Sequence, residues 1–498
     1  MLIFETPYTH FAAHNLRMPL CGPIWRPGVR DMQILRPARA LACAKHGSAE
    51  SFGPVERPVR MIDELEFPNG IRLLSRWQRN DEDAGARLRE IFDATAAGEF
   101  DKNFAIPAPR DAVHVGGSIN LMTLGIMNDL YGMESAEFYK SDPERYVRST
   151  MMTRRLLGMN KLYVSWPVYA FTAEALGQPT MYPDKFPPGS DPDQMLITRE
   201  NWRDVGTPDF SNGIPMLLDE TINCYHRLTG LDPILHLSAP YSLAADTFGQ
   251  EPLLAALVHE PEFANELLDH LADYVIRPWI DHFFKRFPDG WVEFSDASGS
   301  PFFIGPQNCK NMAIRSIKRL IDENPWGRRV YDANYRGDFV AQVKKRDRSR
   351  RRRGTVGEDC SESVNLLELT DLKHSVCRDF VIRLDDDRIP VSFYEEYAIK
   401  RNVPLFVGIG AGQVDRNSVQ FMDLAKQGIR NTSLDYVNAV KNVAHSISEN
   451  GYGARNPPWP GTVYFEDVSA ESSFELVEII VETALTNGSR CGAPQSPI

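Results

Sequence analysis

The sequence predicts an α/β protein built as a (β/α)8 barrel, and two observations carry that prediction. Residues 231–308 contain a short apolar run, a polar loop, a long helical stripe and a second apolar run ending in a polar loop, the parts of one barrel repeat. Further short apolar runs at 111–118, 161–168, 328–332, 379–384 and 403–412 are spaced along the chain as strands of the same kind. The 498 residues exceed the roughly 250 of a bare barrel, so an N-terminal extension over 1–84 and an insertion near 341–375 are expected.

Within the repeat, Ile234-Leu235-His236-Leu237 lies between Asp232-Pro233 and Ser238-Ala239-Pro240, turn formers that bound a buried strand. Leu253, Leu257, Leu267, Leu268, Leu271, Val275 and Trp279 then recur at three- and four-residue spacing, the apolar stripe of helices packed on a sheet. Trp291-Val292-Glu293-Phe294 begins the next strand, and 295–300 form its polar exit. Upstream, Leu88, Ile91 and Phe92 mark one face of an opening helix; downstream, 474–485 form a closing helix. Residues 1–84 are rich in Pro and Arg and poor in periodicity, fitting either an arm or a disordered lead-in.

Composition excludes some classes of function. A hydrophobic content of 43% and a charged content of 24% are those of an ordinary globular protein. The net charge of −12 argues against nucleic acid or an anionic membrane as the main partner. No apolar run approaches the ~18 residues of a membrane span, and the first residues lack a basic region followed by an apolar core. Seven scattered cysteines without C-x-x-C read as reduced thiols of a cytoplasmic protein. The run KKRDRSRRRR at 344–353 reads as a solvated insertion, with docking of an acidic partner as the alternative. Asp385-Asp386-Asp387, with no fixed ligand spacing, reads as a loop.

The exit Ala239-Pro240-Tyr241-Ser242-Leu243, then Phe248-Gly249, Pro261-Glu262, Leu267-Leu268 and a strand ending in Phe294-Ser295-Asp296 resemble the uroporphyrinogen decarboxylase superfamily. Ala173-Glu174-Ala175-Leu176-Gly177 resembles its "EALG" segment, and the similarity spans roughly 85–465. That superfamily includes the heme-pathway decarboxylase and corrinoid-linked methyltransferases. The chain departs from the decarboxylases: Trp166-Pro167-Val168 stands where an aspartate takes the pyrrole N–H groups, the RQAGR loop is missing, and Asp246 replaces the family tyrosine. It also departs from the thiol methyltransferases, whose H-x-C zinc ligands become Asn334 and Arg336, followed by Gly337-Asp338. Neither residue is a credible zinc ligand, so a zinc site is not expected.

Because barrel active sites are assembled at the C-terminal ends of strands, the catalytic candidates are His114, His236, Tyr241, Asp296 and Asp332. The substrate-binding candidates are Trp166, Asp246, Asn334 and Arg336. For His114 the alternative is a hydrogen-bonded core residue; for Tyr241 and Ser242 it is capping of the next helix. The resemblance implies a methyltransferase or demethylase acting on a small O- or N-methylated substrate. With no D-x-H-x-x-G segment in the chain, its cobalamin would arrive on a separate corrinoid protein. His, Tyr or Asp at the strand ends would protonate the leaving heteroatom, and Arg336 would hold a carboxylate. A cofactor-independent decarboxylase or lyase on a small organic acid and a noncatalytic subunit remain as alternatives. The partners anticipated are the substrate, the corrinoid protein and a second copy of the chain.

Overall fold

The computed structural model describes residues 65–105, 112–161, 164–332, 366–376, 381–383, 389–417, 421–449, 461–466 and 468–488. All of them belong to one compact unit, Ile62–Ile498. Its strands are β1 (His114–Gly117), β2 (Thr180–Met181), β3 (Gly189–Ser190), β4 (Ile234–Ser238), β5 (Trp291–Ser295), β6 (Val330–Asp332), β7 (Val381–Arg383), β8 (Leu405–Gly410) and β9 (Thr462–Glu466).

Two parallel sheets form the centre, in the orders β1-β9-β8-β7 and β4-β5-β6; β2 and β3 make a small antiparallel pair apart from them. The first strand therefore lies beside the last, and each remaining pair follows chain order. Helices connect the parallel strands because a parallel partner can be reached only by a crossover. In β4 and β5 the residues Leu235, Leu237, Val292 and Phe294 point one way and are fully buried. In β8 and β9 the residues Val407, Ile409, Val463 and Phe465 do the same. The other face is polar or small: His236 and Ser238 in β4, Glu293 and Ser295 in β5, His114 and Gly116 in β1. Lys161 shows that these polar faces look toward each other. Its ammonium stands 4.7 Å over the Phe406 ring of β8 and is electrostatically coupled to Glu293 of β5.

The helices follow from amphipathic patterning and local stop signals. Arg315–Glu323 buries Ile317, Leu320 and Ile321 and turns Arg315 and Arg319 outward onto Asp269 and Asp273. Glu82–Ala96 starts at Asp81, whose carboxylate accepts from the Ala84 amide. Gly213–Thr229 ends at Gly230 in the left-handed region. Asn69–Gln78 packs against the closing helix Phe474–Asn487, with Trp77 against Phe474 and Arg72 on Glu478. The domain boundary drawn from sequence at residue 84 thus falls inside a helix, Glu82–Ala96.

Two sequence expectations are corrected here. The run 161–168 was expected to be the second strand, yet among its described residues it carries no ladder. Its polar groups go elsewhere: the Lys161 amide donates to Val115 O, the Ser165 carbonyl accepts from Tyr146, and the Trp166 indole donates to His236 O. Pro167 has no amide to offer, and a helix, Val168–Glu174, follows at once. Consequently no hydrogen-bonded strand joins β1 to β4, and none joins β6 to β7, so the described residues do not form the closed eight-stranded barrel. The insertion expected near 341–375 lies outside the described residues except for the helix Leu366–His374 and the turn after it. No helix among the described residues is long and apolar enough to cross a membrane.

Close packing of β1 against β9 gives a direct test. A Cβ at Gly117 would fall 2.2 Å from the Phe465 carbonyl oxygen, whereas one at Gly189 would meet nothing within 4 Å. Gly117→Ala is expected to cost about 1–3 kcal/mol in denaturant unfolding, the range for overpacking. Gly189→Ala should stay within about 0.5 kcal/mol. Equal stability of the two variants would contradict the β1–β9 pairing.

Candidate functional site

The C-terminal ends of β4 and β5 bring together most of the candidate groups. Asp296 follows β5 directly and is only 3% exposed. It survives there because its Oδ1 accepts from both the Ser242 amide, at 3.2 Å, and the Ser242 hydroxyl, at 2.8 Å. Ser242 lies in Pro240–Phe248, the helix that leaves β4, and Ala239 precedes that helix as its cap. The serine therefore holds the aspartate instead of capping the helix. Gly299 completes the cradle: its amide bonds the carboxylate, and a Cβ there would sit 2.5 Å from Oδ2.

Asp246 lies one helical turn beyond Ser242. Burial and the neighbouring Asp296 charge push its carboxyl well above the usual range. Its Oδ2 is buried without a hydrogen-bond partner among the described residues, as is the Tyr241 hydroxyl. Burial also raises Asp296, to about 6, against the opposing hydrogen bonds from Ser242. Tyr241 is raised by burial and by Asp296. Two neighbouring carboxyls so poorly solvated cannot both ionise cheaply, and the shift favours the proton on Asp246.

One layer down, His236 and Glu293 are registered neighbours on β4 and β5. Nδ1 of His236 is 3.5 Å from Glu293 Oε2. Trp166 meets the His236 ring edge-on, with centroids 4.8 Å apart, and its indole bonds the histidine's own carbonyl at 3.3 Å. Burial lowers His236 below its ordinary value, against the pull of Glu293. Lys161, fully buried, is lowered to about 8 by the same desolvation, again opposed by Glu293. Above them, the Tyr169 hydroxyl shares a 2.5 Å hydrogen bond with Ser295 and accepts from the Ala297 amide, laying the Val168–Glu174 helix across the strand exits.

The structure thus gathers His236, Tyr241, Asp246, Asp296 and Trp166. His114, by contrast, opens β1 rather than closing it, so it stands at the N-terminal end of its strand. Asp332 ends β6 in register with Phe294, while its side chain, Asn334 and Arg336 lie outside the described residues. Sequence reasoning missed Glu293 and Lys161. Glu293 had a signal, a lone acid two residues before Ser295 in an apolar strand; Lys161 had none, because its segment resembles a strand and is not one. Among the described residues, no three of His, Cys, Asp or Glu are grouped to hold a metal ion. A cavity of about 530 Å³ between Lys140, Glu174 and Asn212–Leu217 lies on the helical surface and is lined by none of the candidate groups.

No family model matches the chain, and no curated protein matches it. Among solved structures, a methyltransferase from Methanosarcina mazei is similar, with a TM-score of 0.50 and 13% sequence identity over 79% of this chain and 97% of that one. At that identity the likeness is one of fold.

The raised Asp296 carboxyl makes stability depend on pH. Its folded value near 6 exceeds the ordinary 3.8, so the native state retains a proton that the unfolded chain releases. The penalty for ionising it is absent below about pH 4, grows to about pH 6 and is constant above. A difference of roughly two pH units corresponds to at most about 3 kcal/mol. Asp296→Asn removes the titration, so its stability relative to wild type should improve by up to that amount between pH 4 and 6. A relative stability flat across that range would refute the buried-carboxyl assignment.

Proposed function

We propose that this chain transfers a methyl group from a small O- or N-methylated substrate, with a corrinoid on a separate protein as acceptor. The observation that carries this reading is the buried carboxyl pair Asp246/Asp296 at the strand exits, both raised by burial and Asp246 raised well above the usual range. An ether or amine releases its methyl group poorly because the departing heteroatom keeps the bonding electrons. A carboxylic acid beside it can supply the proton as the C–O or C–N bond breaks. Asp246 is that acid: burial, with the charge of the Ser242-bound Asp296 added to it, raises its carboxyl. Tyr241 and Tyr169 flank the exits as further hydroxyl donors.

The likeness in fold to a methyltransferase supports this reading by analogy. In it, the two arcs of parallel sheet are parts of one (β/α)8 barrel whose mouth is the Asp296 end. Cobalamin, when bound, supplies the cobalt nucleophile that takes the methyl group. The residues present suit a corrinoid carried elsewhere: His236 and His114 are both buried within strands and unsuited to reach out to a cofactor's cobalt. What this chain contributes is a protonated acid, a dry site and an arrangement of polar groups around the substrate.

Purified protein mixed with Co(I)-cobalamin and a panel of aromatic methyl ethers and methylamines should form methyl-Co(III), followed in the visible spectrum. Asp246→Asn is expected to slow it by about 10²–10⁴-fold, the usual worth of a general acid. No methylcobalamin from any member would overturn the proposal. Release of CO2 from small organic acids by the same protein would replace it with a lyase reading.

A further inference from the structure

The helix Pro143–Leu156 carries, toward its C-terminal end, a group of buried donors that the surrounding chain does not use. Thr150, Thr153 and Arg154 are 1%, 0% and 4% exposed. Helical threonines elsewhere in the chain, such as Thr123, Thr172, Thr247 and Thr483, donate to the carbonyl four residues back. Thr150 and Thr153 do not: each hydroxyl is buried without a hydrogen-bond partner among the described residues. The Arg154 guanidinium donates to Met159 O through Nη1 at 2.8 Å, and its Nε is buried without a partner. Positions 150, 153 and 154 lie within about 100° of one another around a helix, so the three side chains share one face.

A guanidinium keeps its charge in a protein, and taking it out of water is costly unless an anion goes with it. Among the described residues no carboxylate pairs with Arg154. The charged or titratable groups that act on it are Arg155, which repels it, and Tyr225 of the facing helix Gly213–Thr229; burial and that repulsion lower it to about 10. Arg155 itself has Glu66 at 3.7 Å, a side chain 70% exposed to solvent. The helix C-terminus and the Met159 carbonyl offer partial negative charge, not a full one. We infer that Arg154, Thr150 and Thr153 hold a small, singly charged anion of the chloride class beside Tyr225. One buried cation balances one negative charge, and a dianion would bring in a second charge with nothing opposite it. Space points the same way: Tyr225, with Val164, Trp166 and Ile222, lines a cavity of about 10 Å³, room for one water-sized particle. A halide accepts hydrogen bonds from any direction, which suits an Nε–H and two hydroxyls that lack acceptors. The inference rests on these residues and stands apart from methyl transfer.

Because the unfolded chain has no such site, the anion should stabilise the fold by mass action. The test is thermal unfolding of the full chain at constant ionic strength, with sodium gluconate replaced stepwise by sodium chloride. In wild type the melting temperature should rise along a saturable curve. Arg154→Met puts an apolar side chain of similar length in place of the charge and should weaken the chloride effect at least tenfold, the loss expected for a hydrogen bond to a charged group. Thr150→Val keeps the shape, removes one hydroxyl and should weaken it by about threefold to tenfold. Anomalous scattering from bromide in crystals of the wild-type protein should place an ion within hydrogen-bond distance of Arg154 Nε. Superimposable chloride and gluconate curves in wild type would overturn the proposal, as would an unchanged chloride midpoint in Thr150→Val or bromide found at other positions alone. Saturable stabilisation by sodium sulfate with chloride inert would overturn the assignment to a single charge. If Arg154→Met does not fold, Thr150→Val and the bromide position decide the question.

Discussion

A buried carboxylate needs hydrogen bonds that stay in place, and Asp296 obtains them from Ser242 on a different strand-to-helix unit. That pair of bonds ties the exit of β5 to the helix leaving β4. It also sets the neighbouring chemistry. Burial, with the neighbouring Asp296 charge added to it, raises both the Asp246 carboxyl and the Tyr241 hydroxyl. Gly299 is constrained by the same contact, since only a residue without a Cβ leaves room for the carboxylate beside its backbone.

The two faces of each strand divide the work. Leu235, Leu237, Val292 and Phe294 lie under helices and contribute the hydrophobic burial that holds the sheets. The alternate residues, freed from that task, are His236, Ser238, Glu293 and Ser295. A parallel sheet covered on both sides by apolar layers would show an unbroken hydrophobic run instead. The polar alternation therefore reflects an interior that carries charge, and Lys161 is where the two sheets meet across it.

Histidine and carboxyl groups are driven in opposite directions by one cause. Desolvation disfavours any charged form, so it lowers His236 and raises Asp246 and Asp296. The shifts favour a neutral imidazole at His236 and a neutral acid at Asp246, on a strand and the helix that follows it. That combination suits a reaction in which a proton moves as a bond to a heteroatom breaks.

Periodicity and turn residues alone determined β4, β5 and β8, the helical stripe between β4 and β5, and the polar exit that holds Asp296; the loop expected after β4 is instead the helix Pro240–Phe248, which carries Tyr241 and Asp246. These follow from local patterns: apolar runs bounded by Pro and Ser, and leucines at helical spacing. Only the tertiary structure decided the rest. An apolar run such as 161–168 has the composition of a strand, but its backbone groups are claimed by Tyr146, Val115 and the Trp166–His236 contact, which no local pattern records. The pairing of Glu293 with His236 and Lys161 depends on register between β4 and β5 and on a crossing segment, both long-range. The roles of Ser242 and Gly299 likewise appear only when residues more than fifty positions apart in the chain meet around one carboxylate. Side-chain chemistry was legible residue by residue; which groups share a low-dielectric space, and hence which of them keep their protons, is a property of the folded chain.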